Sequence, residues 1–79
     1  MEIKYSGHAV ERMMQRHVST QEVEALLARP DGVISQSMDK IIAWKRFKGT
    51  RDNAIAVVAV ETTDATEVIT VMVNFEVKQ

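Results

Sequence analysis

No cysteine occurs in this chain of 79 residues, and there are only two histidines, one proline and three glycines. Disulfide staples and thiolate metal sites are thereby excluded, and two histidines are a poor ligand set, so neither a metal nor another cofactor is expected. Aromatic residues amount to 5%, which leaves Trp44 as the one indole on which a base could stack. No apolar run approaches the roughly 18 residues of a membrane span, and the start Met1-Glu2-Ile3-Lys4-Tyr5 lacks the shape of a signal peptide. These absences favour a cytoplasmic protein that does not engage a membrane. The net charge of −1 gives no general attraction to nucleic acid, so any anion must be held by a local cluster. Phosphate-loop glycines, a nucleophile elbow, metal-ligand spacing and paired carboxylates are all missing.

What the chain does have is apolar material, 46% of its residues. That is enough for a packed core, and it argues against disorder. A chain this short buries only about 60% of its unfolded surface or slightly more, so a single domain spanning residues 1–79 is expected. Some apolar surface should remain exposed, which points to a homodimer.

The patterning orders the elements. Glu2-Ile3-Lys4-Tyr5 alternates polar and apolar residues as a short strand does. Ser6 can cap a helix that runs to about His17. Ser19, with Glu22 three residues later, is a capping box, and it opens a second helix carrying Val23, Leu26 and Leu27 on one side. Pro30-Asp31-Gly32 stops that helix, because proline cannot continue the hydrogen-bond ladder. From Val33 the period becomes two: a strand at 33–37, a turn at Met38-Asp39, and a strand at 40–48. An uninterrupted apolar run from Ala54 to Val60 suits a central strand. In the last strand Ile69, Val71, Val73, Phe75 and Val77 alternate with Thr70, Met72, Asn74 and Glu76. The expected fold is α+β, with two N-terminal helices on one face of an antiparallel sheet of four or five strands.

Two cationic clusters stand out. At about 100° per residue, His8, Arg12, Gln15 and Arg16 share one side of the first helix, while Ala9, Val10, Met13, Met14 and His17 share the other. Such a row can clamp phosphate, with His8 available as an acid or base. It can equally be a solvated face whose arginines pair with Glu11, Glu22 or Glu24. The second cluster is Lys45, Arg46 and Lys48, interleaved with Trp44 and Phe47 and followed by Arg51. With Phe47 on the core side, Trp44, Arg46 and Lys48 take the more open side, an arrangement suited to stacking bases and holding phosphates. The alternative is an edge strand guarded by its charges. His17 reads as a core or helix-end histidine, and the methionines as core or interface residues.

The run His8-xxx-Arg12-xxx-Arg16-x-Val18-Ser19-xx-Glu22-Val23-xx-Leu26-Leu27, followed by Pro30 and Val33-Ile34, resembles a widespread bacterial family of small proteins of unknown function marked by His-xxx-Arg-xxx-Arg before a second helix. That family is similar to the RelE/ParE toxin superfamily, whose order is also strand, two helices, antiparallel strands. The resemblance implies a toxin-like ribonuclease fold and metal-independent RNA cleavage, with His8, Arg12 and Arg16 as catalytic residues and Trp44, Arg46, Lys48 and Arg51 as RNA contacts. ParE-like members act instead by binding a protein. This implies the alternative of a non-catalytic interaction module with a cognate antitoxin or other protein partner, or a homodimeric regulator.

Overall fold

The computed structural model describes residues 2–47 and 54–75. In chain order the elements are β1 (Glu2–Tyr5), α1 (Gly7–Arg16), α2 (Thr20–Ala28), β2 (Gly32–Ser35), β3 (Lys40–Lys45), β4 (Ala54–Glu61) and β5 (Ala65–Phe75). The five strands form one sheet in the order β1-β5-β4-β3-β2.

The local signals account for both helices. Ser6 accepts from Ala9 N–H at the start of α1, and His17 ends it in the left-handed region, at φ 56°. Ser19 and Glu22 form the reciprocal capping box of α2. Ala9 and Met13 of α1 and Val23 and Leu26 of α2 are buried against Ala43, Ile55, Val57, Ala59, Val68 and Val71 of the sheet. Both helices thus cover the same face. β4 lies at the centre, and its residues from Ala54 to Ala59 are all buried, as the unbroken apolar run predicts.

The sheet corrects the antiparallel expectation. β1 runs parallel to β5, from Glu2↔Ala65 to Tyr5↔Val68, whereas every other neighbouring pair is antiparallel. Three successive antiparallel pairings leave β5 pointing opposite to β2, and β2, after the two helices, runs opposite to β1. β1 and β5 therefore meet in the same direction, and the sheet is mixed. β3 is an interior strand between β4 and β2, so its charges do not guard an edge; β2 and β1 are the edges.

β5 also starts earlier than its alternation suggests, and the ladder to β4 carries register shifts between Ala54 and Ala56 and between Val58 and Ala59. An extra residue in one strand breaks the period of two. Val68, Val71 and Val73 consequently serve the helix-covered core, whereas Phe75 lies opposite Ala54. Val77, Lys48 and Arg51 fall outside the described residues.

Candidate functional site

α1 is fastened along the outer edge of β5, in the stretch that β1 is too short to cover. Ser6 N–H donates to Val68 C=O at 3.0 Å, Ser6 Oγ donates to Ile69 C=O at 2.9 Å, and Arg16 Nη1 donates to Val71 C=O at 2.7 Å. A charge-assisted bond of this kind contributes about 1.5–3 kcal/mol. It holds the last turn of the helix against the strand. Arg16, which the resemblance implies to be catalytic, thus has a backbone partner on β5.

The guanidinium of Arg16 also borders an open cavity of about 400 Å³ whose other walls are Met72, Val73, Asn74 and Phe75. Asn74 adopts φ 55°, a left-handed conformation that asparagine tolerates better than most residues. By alternation alone Asn74 is one polar residue among those of the last strand. The signal that marks it in the sequence is an asparagine between Val73 and Phe75.

His8, Arg12 and Gln15 form a ladder along the outer surface of α1, with His8 and Gln15 exposed and Arg12 half-buried. Arg12 Nη1 donates to Gln15 Oε1 at 3.0 Å, Gln15 Nε2 donates to Glu11 Oε1 at 3.2 Å, and Arg12 Nε lies 3.4 Å from His8 Nε2, a long contact. These are the i, i+3 and i, i+4 neighbours of a helix surface. Arg12 is the donor in both of its contacts. Among the described residues no carboxylate lies within ion-pairing distance of Arg12 or Arg16, whose partners are an imidazole, an amide and a backbone carbonyl. The alternative of arginines paired with Glu11, Glu22 or Glu24 is not seen among the described residues: Glu22 is held at the cap of α2, and Glu11 accepts from Gln15.

The second cluster lies elsewhere. Trp44 shares its sheet face with Ile42 and Ile34, the face turned away from the helices. A Cβ on Gly32 would fall 2.5 Å from Trp44 Nε1, so the indole covers that glycine, while the Arg46 guanidinium sits 5.3 Å from the ring centroid. This is a cation–π contact. Lys45 donates to Arg29 C=O at 2.9 Å and lies 3.9 Å from Asp31, whose second oxygen accepts from Arg46 N–H at 2.8 Å. Trp44 thus lies on the sheet face away from the helices, whereas Lys45 is held at the end of α2, and none of the described members of this cluster joins the α1 ladder. No group of three or more potential metal ligands occurs among the described residues, and no described helix is long and apolar enough to cross a membrane.

With this geometry in place, comparison with known proteins assigns the class. Residues 5–73 match the family described as Domain of unknown function (DUF4258), and the chain belongs to that family. No curated protein and no solved structure matches it.

Proposed function

We propose that this is a RelE/ParE-like domain that contacts RNA through the outer face of α1, with Arg12 and His8 receiving backbone phosphates and Arg16 holding the helix in place. The observation that carries the reading is the absence, among the described residues, of any carboxylate paired with Arg12 or Arg16. A guanidinium left without an anionic partner on an otherwise slightly acidic chain is a ready site for a phosphate. The element order of one strand, two helices and a run of antiparallel strands is consistent with the resemblance that suggests RNA.

Binding is favoured over cleavage as the core of the proposal. His8 does not line the cavity beside Arg16, and its described contact is a long one to Arg12 at 3.4 Å. A second reading, a protein-interaction module, is supported by the apolar side chains Val33 and Ile34, left 52% and 45% exposed.

The test is fluorescence anisotropy with a labelled single-stranded RNA across a salt series. The expected result is salt-sensitive binding, with Arg12→Ala several-fold weaker and its salt slope lower by about one. Gel analysis of the same mixtures in the presence of a chelator reports whether the RNA is cut. If no RNA is retained at low salt, the protein-interaction reading stands in its place.

A further inference from the structure

Of the five large hydrophobic side chains most exposed among the described residues, three lie within six positions of one another: Val33, Ile34 and Met38, the last fully exposed. All belong to the edge hairpin that begins with β2. Residues 32–38, Gly-Val-Ile-Ser-Gln-Ser-Met, carry no charge and no proline. The opposite edge, β1, carries Glu2 and Lys4. Soluble proteins ordinarily protect a flat edge strand with lysine, proline or a bulge, because its free backbone groups template further pairing. Along Val33, Ile34 and Ser35 none of these protections is present.

The direction of those backbone groups follows from the ladder. Gln36 N–H donates to Lys40 C=O at 2.9 Å, in step with the pairs Ile34↔Ile42 and Gly32↔Trp44. In an antiparallel ladder alternate residues turn both N–H and C=O to the same neighbour. The even-numbered residues of β2 therefore face β3, and Val33 and Ser35 direct their N–H and C=O groups outward.

We propose that this edge pairs antiparallel with the β2 edge of a second copy of the chain, about a two-fold axis through Ile34. In this register Val33 of each copy exchanges both backbone bonds with Ser35 of the other, so all four outward groups on each side are satisfied. Ile34 meets Ile34 in the closely spaced, non-bonded position at the axis. The contact is isologous and closed, which suits a dimer rather than a filament. Two five-stranded sheets become one of ten strands, and the row Ile34, Ile42, Trp44 continues across the axis on the face away from the helices. A second copy fits better than a foreign strand because the register is self-complementary and the hairpin has no charge to select a partner. The inference uses no residue of the α1 ladder and is independent of the RNA reading.

The test is sedimentation equilibrium on the full chain, with three variants. The wild type should approach twice the 8.9 kDa chain mass as concentration rises. Ile34→Lys, which places like charges face to face at the axis, should remain at the chain mass with an unchanged helix signal. Because the chain has no cysteine, Ile34→Cys supplies a unique thiol, and on oxidation it should cross-link readily as a covalent dimer. Val33→Cys, opposite Ser35 in the proposed register, should cross-link poorly. The cross-linking comparison decides the matter if Ile34→Lys fails to fold. A single species at the chain mass up to the solubility limit, a dimer that survives Ile34→Lys, or equal cross-linking of both cysteine variants would overturn the proposal.

Discussion

Arg12 and Arg16 belong to one sequence repeat, yet they do different work. Arg16 reaches a strand carbonyl at 2.7 Å in a half-buried setting, whereas Arg12 meets only exposed side chains of its own helix. Arg16→Ala leaves Val71 C=O without its donor and should lower unfolding free energy in urea by about 1–3 kcal/mol. Arg12→Ala should change it by less than about 0.5 kcal/mol, because its bonds are exposed ones within its own helix and leave no strand carbonyl without a donor. Equal losses for the two would show that the helix face acts as a unit in stability and that Arg16 is no anchor. The spacing alone could not separate these roles: it placed both guanidiniums on one side of a helix, but whether a strand carbonyl comes within reach depends on how far β1 extends along β5. Trp44 shows the converse. Its open-side placement was legible from alternation, but the glycine beneath it and the arginine over it were not, since both depend on cross-strand register.

The elements with strong local chemistry were the ones that could be read. Ser6, Ser19 with Glu22, and Pro30-Asp31-Gly32 each set a helix end through bonds within a few residues of chain. The unbroken run from Ala54 marked the central strand because a strand covered on both faces has no polar side. What escaped was non-local. The parallel pairing of β1 with β5 joins residues some sixty positions apart, and the register shifts in β5 show only against its partner. Ser6 lies at the boundary of these two kinds of information, since its hydroxyl caps α1 and also donates to Ile69 C=O. Ser6→Ala should therefore cost more than an ordinary cap, which is worth about 1 kcal/mol. Ser19→Ala, which removes a cap confined to its own helix, is the internal control. A urea midpoint lowered no further by Ser6→Ala than by Ser19→Ala would mean that the bond to β5 adds nothing.

At the scale of the whole molecule, the helices cover one face of the sheet and the other carries Ile34, Ile42, Trp44 and Met72 around small residues such as Ala54 and Ala56. The seam between β1 and the helices contains the sole tyrosine, Tyr5, half-buried beside Val10, Met13, Met14, Val18 and Thr20 around a cavity of about 270 Å³. Burial raises the phenol above its ordinary value of 10.0, and the charge of Glu24 adds to the rise. A group that holds its proton more tightly when folded contributes stability that is complete below the unfolded value. That contribution is lost as pH climbs through the folded one. The unfolding midpoint should accordingly fall above about pH 10, with the phenolate absorbance appearing at higher pH in the folded protein than in urea. Tyr5→Phe should remove that part of the pH dependence; an unchanged fall would place its origin elsewhere.

The central claim is that the exposed side of α1 is a surface open to a polyanion. It is tested most directly by titrating isotopically labelled protein with a short single-stranded RNA and following backbone and arginine side-chain resonances. The account predicts shifts concentrated on His8, Arg12 and Gln15, with smaller ones at Arg16, and their reversal by salt. Shifts confined to the Trp44 and Arg46 side of the sheet, or none at all at low salt, would contradict it.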